Sequence, residues 1–543
     1  MLKKIKPLFK GYYDPVTKIW NGGKWRRYYD KDCSIGRILY EEMRRRPKQI
    51  CQISDSEQTQ LTNEEVLQQA FCIAKYFQSL QLKQSDIIGL VCRNTTYVLS
   101  VLLACFFSGI APHSVSPNHD EKTTRHLFQI TKPKLIFCDG QDYAKIRSAT
   151  SFLNSKIVTL KQRVPDVPIV TDILDANEVT TEFEPVDLEN GREQTLLIMC
   201  SSGTTGMPKA VTMSNTTRAF EFGSFLNSSE VAYISTTFDW LTGIILLLSS
   251  IIYGAKIIIT EKPYSPEYFL EIIDKYSVTF TLLSRCNMVM LVKSPKNTAD
   301  KLSSLKYFTY GGGKLSPTIL NELQSYMRNG NIITVYSFTE FGNPLTWNPN
   351  LDNPTSAGRL KPGFQLKIID KAGQNVGPGE FGEICCSHGE HWQGYFNNKE
   401  ATLALFDSER WFHTGDIGYM DEDMYLYIVD RMRDILKYRS MQYWPSEIES
   451  VITELPDVVD VCVFGVDNEL DGDVAAAAVV ITESSALTEQ DIVNYVAEKF
   501  EVKYKHLNAG AIILKDLPKN NNGKINRKTL KEIYSRLKGC ETI

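Results

Sequence analysis

The sequence predicts an α/β protein: a large N-terminal domain of parallel-sheet α/β subdomains with a β-rich subdomain, then a small α+β C-terminal domain. Three observations carry this. Strand-like apolar runs, such as Ile87-Ile88-Gly89-Leu90-Val91 and Leu135-Ile136-Phe137-Cys138, alternate with helical patterns over residues 63–80 and 317–327. That alternation belongs to parallel sheets with helical crossovers. Residues 366–369 and 382–386 flank a Gly/Pro-rich turn and read as a hairpin within a β-rich subdomain. After Asp430 the texture changes. A charged stretch, Asp430-Arg431-Met432-Arg433-Asp434, leads into a helix from Pro445, strands near 459–466 and 475–481, and a helix over 488–500. The expected domains are therefore residues 1–430 and 431–543. Residues 518–528 are polar and rich in Gly and Asn, a surface loop of the kind that carries function.

Length and composition agree with this division. A chain of 543 residues is too long for one ordinary domain and suits two or three. With 43% hydrophobic and 23% charged residues it can bury a large core. The formal net charge of −4 gives no basic excess, which argues against a nucleic-acid partner. An anionic ligand must be met by a few placed cations. Twelve cysteines show no CxxC pair or zinc spacing; even the adjacent Cys385-Cys386 reads as buried free thiols in a reducing compartment. Residues 1–10 are basic without a signal-peptide apolar core, and the apolar runs 96–112 and 241–260 are short or interrupted. Both runs are expected in the core. The terminal Glu541-Thr542-Ile543 is not a peroxisomal tripeptide, and a cytoplasmic location is expected.

The strongest chemical signal is Ser201-Ser202-Gly203-Thr204-Thr205-Gly206-Met207-Pro208-Lys209, which follows an apolar strand over 196–199. Glycines allow tight turning, backbone N–H groups and hydroxyls donate to phosphate oxygens, and Lys209 adds charge. It is not a Walker A loop, whose lysine directly follows a glycine. Taken alone, a Gly/Ser/Thr turn of this composition also fits a plain flexible loop. Further motifs follow: Tyr310-Gly311-Gly312-Gly313-Lys314-Leu315, Tyr336-Ser337-Phe338-Thr339-Glu340, Trp411-Phe412-His413-Thr414-Gly415-Asp416, Asp430-Arg431 with Lys437, and Pro518-Lys519-Asn520-Asn521-Asn522-Gly523-Lys524-Ile525.

In this order and spacing the set resembles the acyl-adenylate-forming superfamily: acyl-CoA synthetases, 4-coumarate–CoA ligases, beetle luciferases and peptide-synthetase adenylation domains. The likeness runs from about residue 50 to residue 530 and leans toward the insect luciferase-like acyl-CoA ligase branch. It implies an ATP-dependent, magnesium-requiring adenylation followed by transfer to coenzyme A, with a small-molecule carboxylic acid as substrate. It also implies roles. Ser201, Ser202, Gly203, Thr204, Thr205, Gly206 and Lys209 would hold phosphates. Glu340 would bind Mg²⁺, a hard cation that prefers carboxylate oxygen, and Thr339 would touch the α-phosphate. Gly312 and Gly313 would let the backbone approach adenine and the acyl carbonyl, Tyr336 would stack on adenine, and Ser337 would belong to the ATP/AMP-binding set. Asp416 would accept both ribose hydroxyls and Arg431 would add a donor. Lys524 would sit between carboxylate and α-phosphate and offset their repulsion. The small domain would be mobile, rotating about Asp430 to replace Lys524 with the segment of Lys437.

Three residues depart from the family's pattern. In Phe238-Asp239-Trp240-Leu241-Thr242-Gly243, Trp240 replaces a histidine often found at the mouth of the acyl and thiol tunnels. An indole can gate a tunnel but cannot act as an imidazole base. Ser337 and Ser440 stand where glycine is usual; if the loop of Ser440 needs φ > 0 or close approach to the thiol substrate, a serine there costs the thiol step more than adenylation. Walls for the acid are expected from residues 220–225, 239–243, 310–313 and 341–343, aromatic and small, fitting a medium- or long-chain fatty acid or an aryl-propenoate. Two alternatives remain: a luciferase-like monooxygenase, and an adenylation enzyme loading a carrier protein.

Overall fold

The computed structural model describes residues 11–24, 29–30, 32–176, 183–201, 207–215, 225–296, 300–315, 317–327, 330–349, 353–389, 392–439, 441–468, 470–519 and 524–539. Within them the large domain carries two α/β sheets. The first is six-stranded, in the order Lys209–Ser214, Thr195–Ser201, Ala111–Ser114, Ile87–Val91, Leu135–Cys138, Lys156–Thr159. It is parallel except where Lys209–Ser214 turns back along Thr195–Ser201. The second is nine-stranded, and its strands Ile50–Ser54, Lys256–Ile259, Val231–Tyr233, Phe280–Ser284, Tyr307–Gly311 and Asn331–Tyr336 are parallel.

The two long apolar runs of the sequence form the packing between these sheets. Val98–Ser108 and Leu241–Tyr253 are helices buried nearly all round and belong to one hydrophobic cluster. At about 1.5–3 kcal/mol for each large apolar side chain taken out of water, these helices anchor the domain. Helix Leu241–Tyr253 stops at Gly254, whose φ of +78° only glycine adopts without strain. Helix Asn63–Ser79 starts on a capping box in which Thr62 and Glu65 bond reciprocally. Among the described residues no helix is long and apolar enough to cross a membrane.

The β-rich subdomain is a six-stranded antiparallel sheet: Tyr12–Asp14, Ile19–Asn21, Gln365–Ile369, Gly382–Ser387, Phe412–Met420, Leu426–Arg431. The expected hairpin is its centre, with Leu366 opposite Cys386. Beyond Arg431 the chain builds a separate five-stranded sheet. Val458–Asn468 and Gly472–Ile481 form its spine, and helices Pro445–Ile452, Glu489–Lys499 and Arg527–Lys538 accompany them. This corrects the extent of the polar loop expected over 518–528. Asn526 accepts the amide of Thr529 and starts the helix at Arg527.

Candidate active site

The first cluster is set by strand register. Phe412–Met420 and Leu426–Arg431 pair antiparallel with Asp416 opposite Arg431. Arg431 Nε lies 3.1 Å from Asp416 Oδ1, and the Tyr336 hydroxyl donates to Asp416 Oδ2 at 2.5 Å. Tyr336 ends the strand Asn331–Tyr336 of the neighbouring sheet, so the contact joins the β-rich subdomain to the α/β core. Burial, then the charge of Asp416, pushes the Tyr336 phenol well above its usual range, so it stays a donor. Asp416 is only 5% exposed, and its amide donates to Thr414 Oγ1 at 3.0 Å. A carboxylate has about four acceptor positions, the kind of group that suits a vicinal diol.

The second cluster lies at the carboxyl end of Thr195–Ser201. Ser201 and Lys209 face each other in an antiparallel pair, at the two ends of the motif over 201–209. Ser202, Gly203, Thr204, Thr205 and Gly206 lie outside the described residues. Lys209 Nζ sits 4.7 Å from the centre of the Tyr395 ring. The Tyr395 hydroxyl donates to Glu340 Oε1 at 2.8 Å. Tyr395 thus bridges Lys209 and Glu340, two motif residues more than 130 positions apart. Thr339 and Glu340 occupy the single 3₁₀ turn Thr339–Phe341 that follows Tyr336.

Sequence reasoning did not single out Tyr395. It is placed by backbone pairing: Thr212 N donates to Gly394 O at 3.2 Å and Phe396 N to Ala210 O at 2.8 Å, laying 394–396 along Lys209–Ser214. The available signal was the Gly394-Tyr395 step, an aromatic after a glycine in a polar stretch.

Gly312 has φ +84°, and a Cβ built there would meet nothing within 4 Å. The position needs glycine for its backbone and leaves open space in front of it. A Cβ on Gly313 would stand 3.0 Å from Arg285 Cδ. Ser337 is exposed, and its φ is not positive, so the departure from glycine there carries no backbone strain. Trp240 caps the start of helix Leu241–Tyr253 and is 38% exposed. Its neighbour Asp239 is half-buried, and loss of water around its carboxyl raises its pKa. Of the expected acid-binding wall 220–225, residues 220–224 lie outside the described residues. Phe225 packs against the rings of Phe280, Tyr307 and Trp347.

The two lysines of the small domain stand differently. Lys437 is exposed on the hairpin Leu436–Tyr438 to Met441–Tyr443, and its amide donates to Asp473 Oδ2 at 2.9 Å. Arg439 supplies the positive φ of that turn, +52°; Ser440 lies outside the described residues. Lys524 is exposed beside 520–523, which are also outside them. Asp430 is bonded on both sides of the domain change: its Oδ1 accepts from Arg431 N at 2.8 Å and its Oδ2 from Ser446 N at 3.1 Å.

Comparison with known proteins identifies the family. The AMP-binding enzyme family matches residues 39–396, and the AMP-binding enzyme C-terminal domain matches residues 447–524. The chain is 30% identical to luciferin 4-monooxygenase of Photuris pensylvanica, over 88% of this chain and 90% of that protein. It is 27% identical to a probable 4-coumarate–CoA ligase of Dictyostelium discoideum, over 93% and 96%. The solved structure of the anthranilate CoA ligase AuaEII with anthranoyl-AMP shares the fold, with TM-score 0.85 and 19% identity, covering 93% of this chain and 98% of that one. The chain belongs to the AMP-binding enzyme family, within the superfamily of acyl-adenylate-forming enzymes that includes the acyl-CoA ligases.

Proposed function

We propose that this protein is an ATP-dependent acid–thiol ligase, acting in the cytoplasm, that adenylates an apolar carboxylic acid and passes the acyl group to coenzyme A. The observation that carries the reading is the pair of clusters: Asp416 between Tyr336 and Arg431, and Glu340 tied through Tyr395 to Lys209. Asp416 and Arg431 suit a ribose diol. Lys209 and the loop it closes suit phosphates. Glu340 keeps carboxylate oxygen beyond its Tyr395 bond, and that hard donor fits Mg²⁺. When bound, the cation neutralises phosphate charge.

In this reading the substrate carboxylate attacks the α-phosphorus, and pyrophosphate leaves with the electrons of the broken P–O bond. Thr339 and the Gly312–Gly313 backbone orient the reacting groups, and Lys524 offsets the repulsion of the two anions. The coenzyme A thiolate then attacks the acyl carbonyl and AMP departs. The domains meet at Asp430, about which the small domain turns to exchange Lys524 for Lys437. Trp240 gates the acyl and thiol path. Its exposed indole and the aromatic lining support an apolar acid, a medium- or long-chain fatty acid or an aryl-propenoate.

The test is pyrophosphate release over a panel of acids with and without coenzyme A, with the thioester identified by mass. Acid-dependent release and a coenzyme A thioester are expected; no release with any acid would overturn the reading. The 30% identity to a luciferin 4-monooxygenase favours a second reading, oxygenation of the adenylate. Light emission with beetle luciferin distinguishes it, and none is expected.

A further inference from the structure

Strands Gly382–Ser387 and Phe412–Met420 run antiparallel with Cys385 directly opposite His413. Residues two apart share a strand face, which puts Glu383 beside Cys385. Three donors of three chemical kinds result: a Glu383 oxygen, Cys385 Sγ and a His413 ring nitrogen, all within 4.8 Å of one another. Cys385 Sγ is 3.7 Å from His413 Nδ1, and Glu383 Oε2 is 2.9 Å from the same nitrogen. In a tetrahedral zinc site, with bonds of about 2.0–2.3 Å, donors stand roughly 3.3–3.7 Å apart. The sulfur–nitrogen spacing already matches. The carboxylate has to withdraw by about half an ångström.

The surroundings suit a divalent ion. Cys385 is fully buried, whereas the His413 side chain is 29% exposed, so the site is closed behind the sulfur and open at the imidazole. A water can take the fourth position. Asp407 Oδ2 lies 3.8 Å from His413 Nε2, on the far side of the ring, where a carboxylate orients a metal-bound imidazole. Lys367 faces the same region, but its ammonium is engaged by Asp407 at 2.9 Å and Glu409 at 3.4 Å. Glu383 Oε1 also accepts the amide of Gly415 at 3.1 Å, next to Asp416. A Glu383–His413 hydrogen bond alone would not call for the buried Cys385 thiol to converge on the same ring nitrogen at 3.7 Å.

We propose that Glu383, Cys385 and His413 form a site for a borderline-soft divalent cation of the zinc class, separate from the oxygen site at Glu340. On binding, a metal–sulfur bond replaces the S–H bond and the proton passes to solvent; nothing is oxidised or reduced. Because Glu383 also holds Gly415, the ion stiffens the Thr414-Gly415-Asp416 turn.

Cobalt(II) titration of the full chain tests this. The wild type should show a thiolate-to-cobalt charge-transfer band saturating at one equivalent and bleached by zinc. Cys385→Ser should abolish it. Cys386→Ser should retain it, since Cys386 points to the opposite face, into the core with Leu366 and Phe412. Glu383→Gln, which keeps the side chain's shape, should weaken cobalt binding about tenfold or more while circular dichroism stays unchanged. No band in the wild type, or an undiminished band in Cys385→Ser, overturns the site.

Discussion

Around Asp416, two groups are held at 2.5 and 3.1 Å by strands whose register leaves them little freedom, and Tyr395 ties Glu340 to the strand that starts at Lys209. On the small domain, Lys437 and Lys524 are both exposed, one on a hairpin and one just ahead of the helix Arg527–Lys538. The contrast teaches where each half of the proposed chemistry keeps its order. Groups that, in the proposed reading, hold the nucleotide through both steps are organised in advance. A cation needed in one step only is carried on a part that can arrive and leave, as lid-type gating requires.

The largest expected effect breaks the mobile side. Lys524→Ala should lower adenylate formation, measured by pyrophosphate release, by about 10²–10³-fold or more, the scale of losing a key transition-state electrostatic partner. Asp430→Pro should come next. Proline fixes φ, and the change also removes the carboxylate that bonds Ser446 N, so Asp430→Asn separates the two causes. The proline variant should keep adenylation and lose most thioester formation under single turnover. If both rates stay near wild type, rotation about this residue is excluded.

Smaller effects probe the organised side. Glu340→Gln should raise the magnesium requirement and weaken productive ATP binding; superimposable magnesium titrations would remove Glu340 from the metal. Tyr395→Phe deletes one hydrogen bond to a charged group, worth about 1.5–3 kcal/mol, and keeps the ring against Lys209. It should shift the magnesium titration in the direction of Glu340→Gln, by less.

Much of this contrast is legible in the sequence because the nucleotide motifs sit at strand ends, and apolar runs such as Leu135–Cys138 announce the strands. Asp416, Arg431, Tyr336 and Glu340 could be named from their motifs; that Asp416 and Arg431 face each other is a matter of register. Tyr395 could not be found that way. Its position comes from pairing with a strand some 185 residues earlier, a contact no local pattern encodes. The loop expected over 518–528 was drawn too long because polar residues that suit a loop also suit an exposed helix; Asn526 as a cap decides it. Ser337 stands where glycine is usual, and its φ is not positive.

A separate effect, on stability rather than on rate, concerns the frame under the organised side. His113 and His119 are buried, and burial lowers their pKa values to about 3 and about 4. Below pH 6.5 the unfolded chain takes up protons that the folded one refuses, so stability falls with pH from there toward pH 4. The slope is about 1.4 kcal/mol per pH unit for each histidine, or roughly 2 kcal/mol each between pH 7 and pH 5. Urea unfolding at those two values checks this, and His119→Gln should remove its share.

The most direct test of the division of labour gives Lys524→Ala preformed acyl-adenylate and coenzyme A and measures thioester formation in a single turnover. A rate close to wild type, in a protein whose adenylation has collapsed, is the predicted result. An equal loss in both half-reactions would contradict the assignment of Lys524 to adenylation alone, and with it the exchange of one lysine for the other.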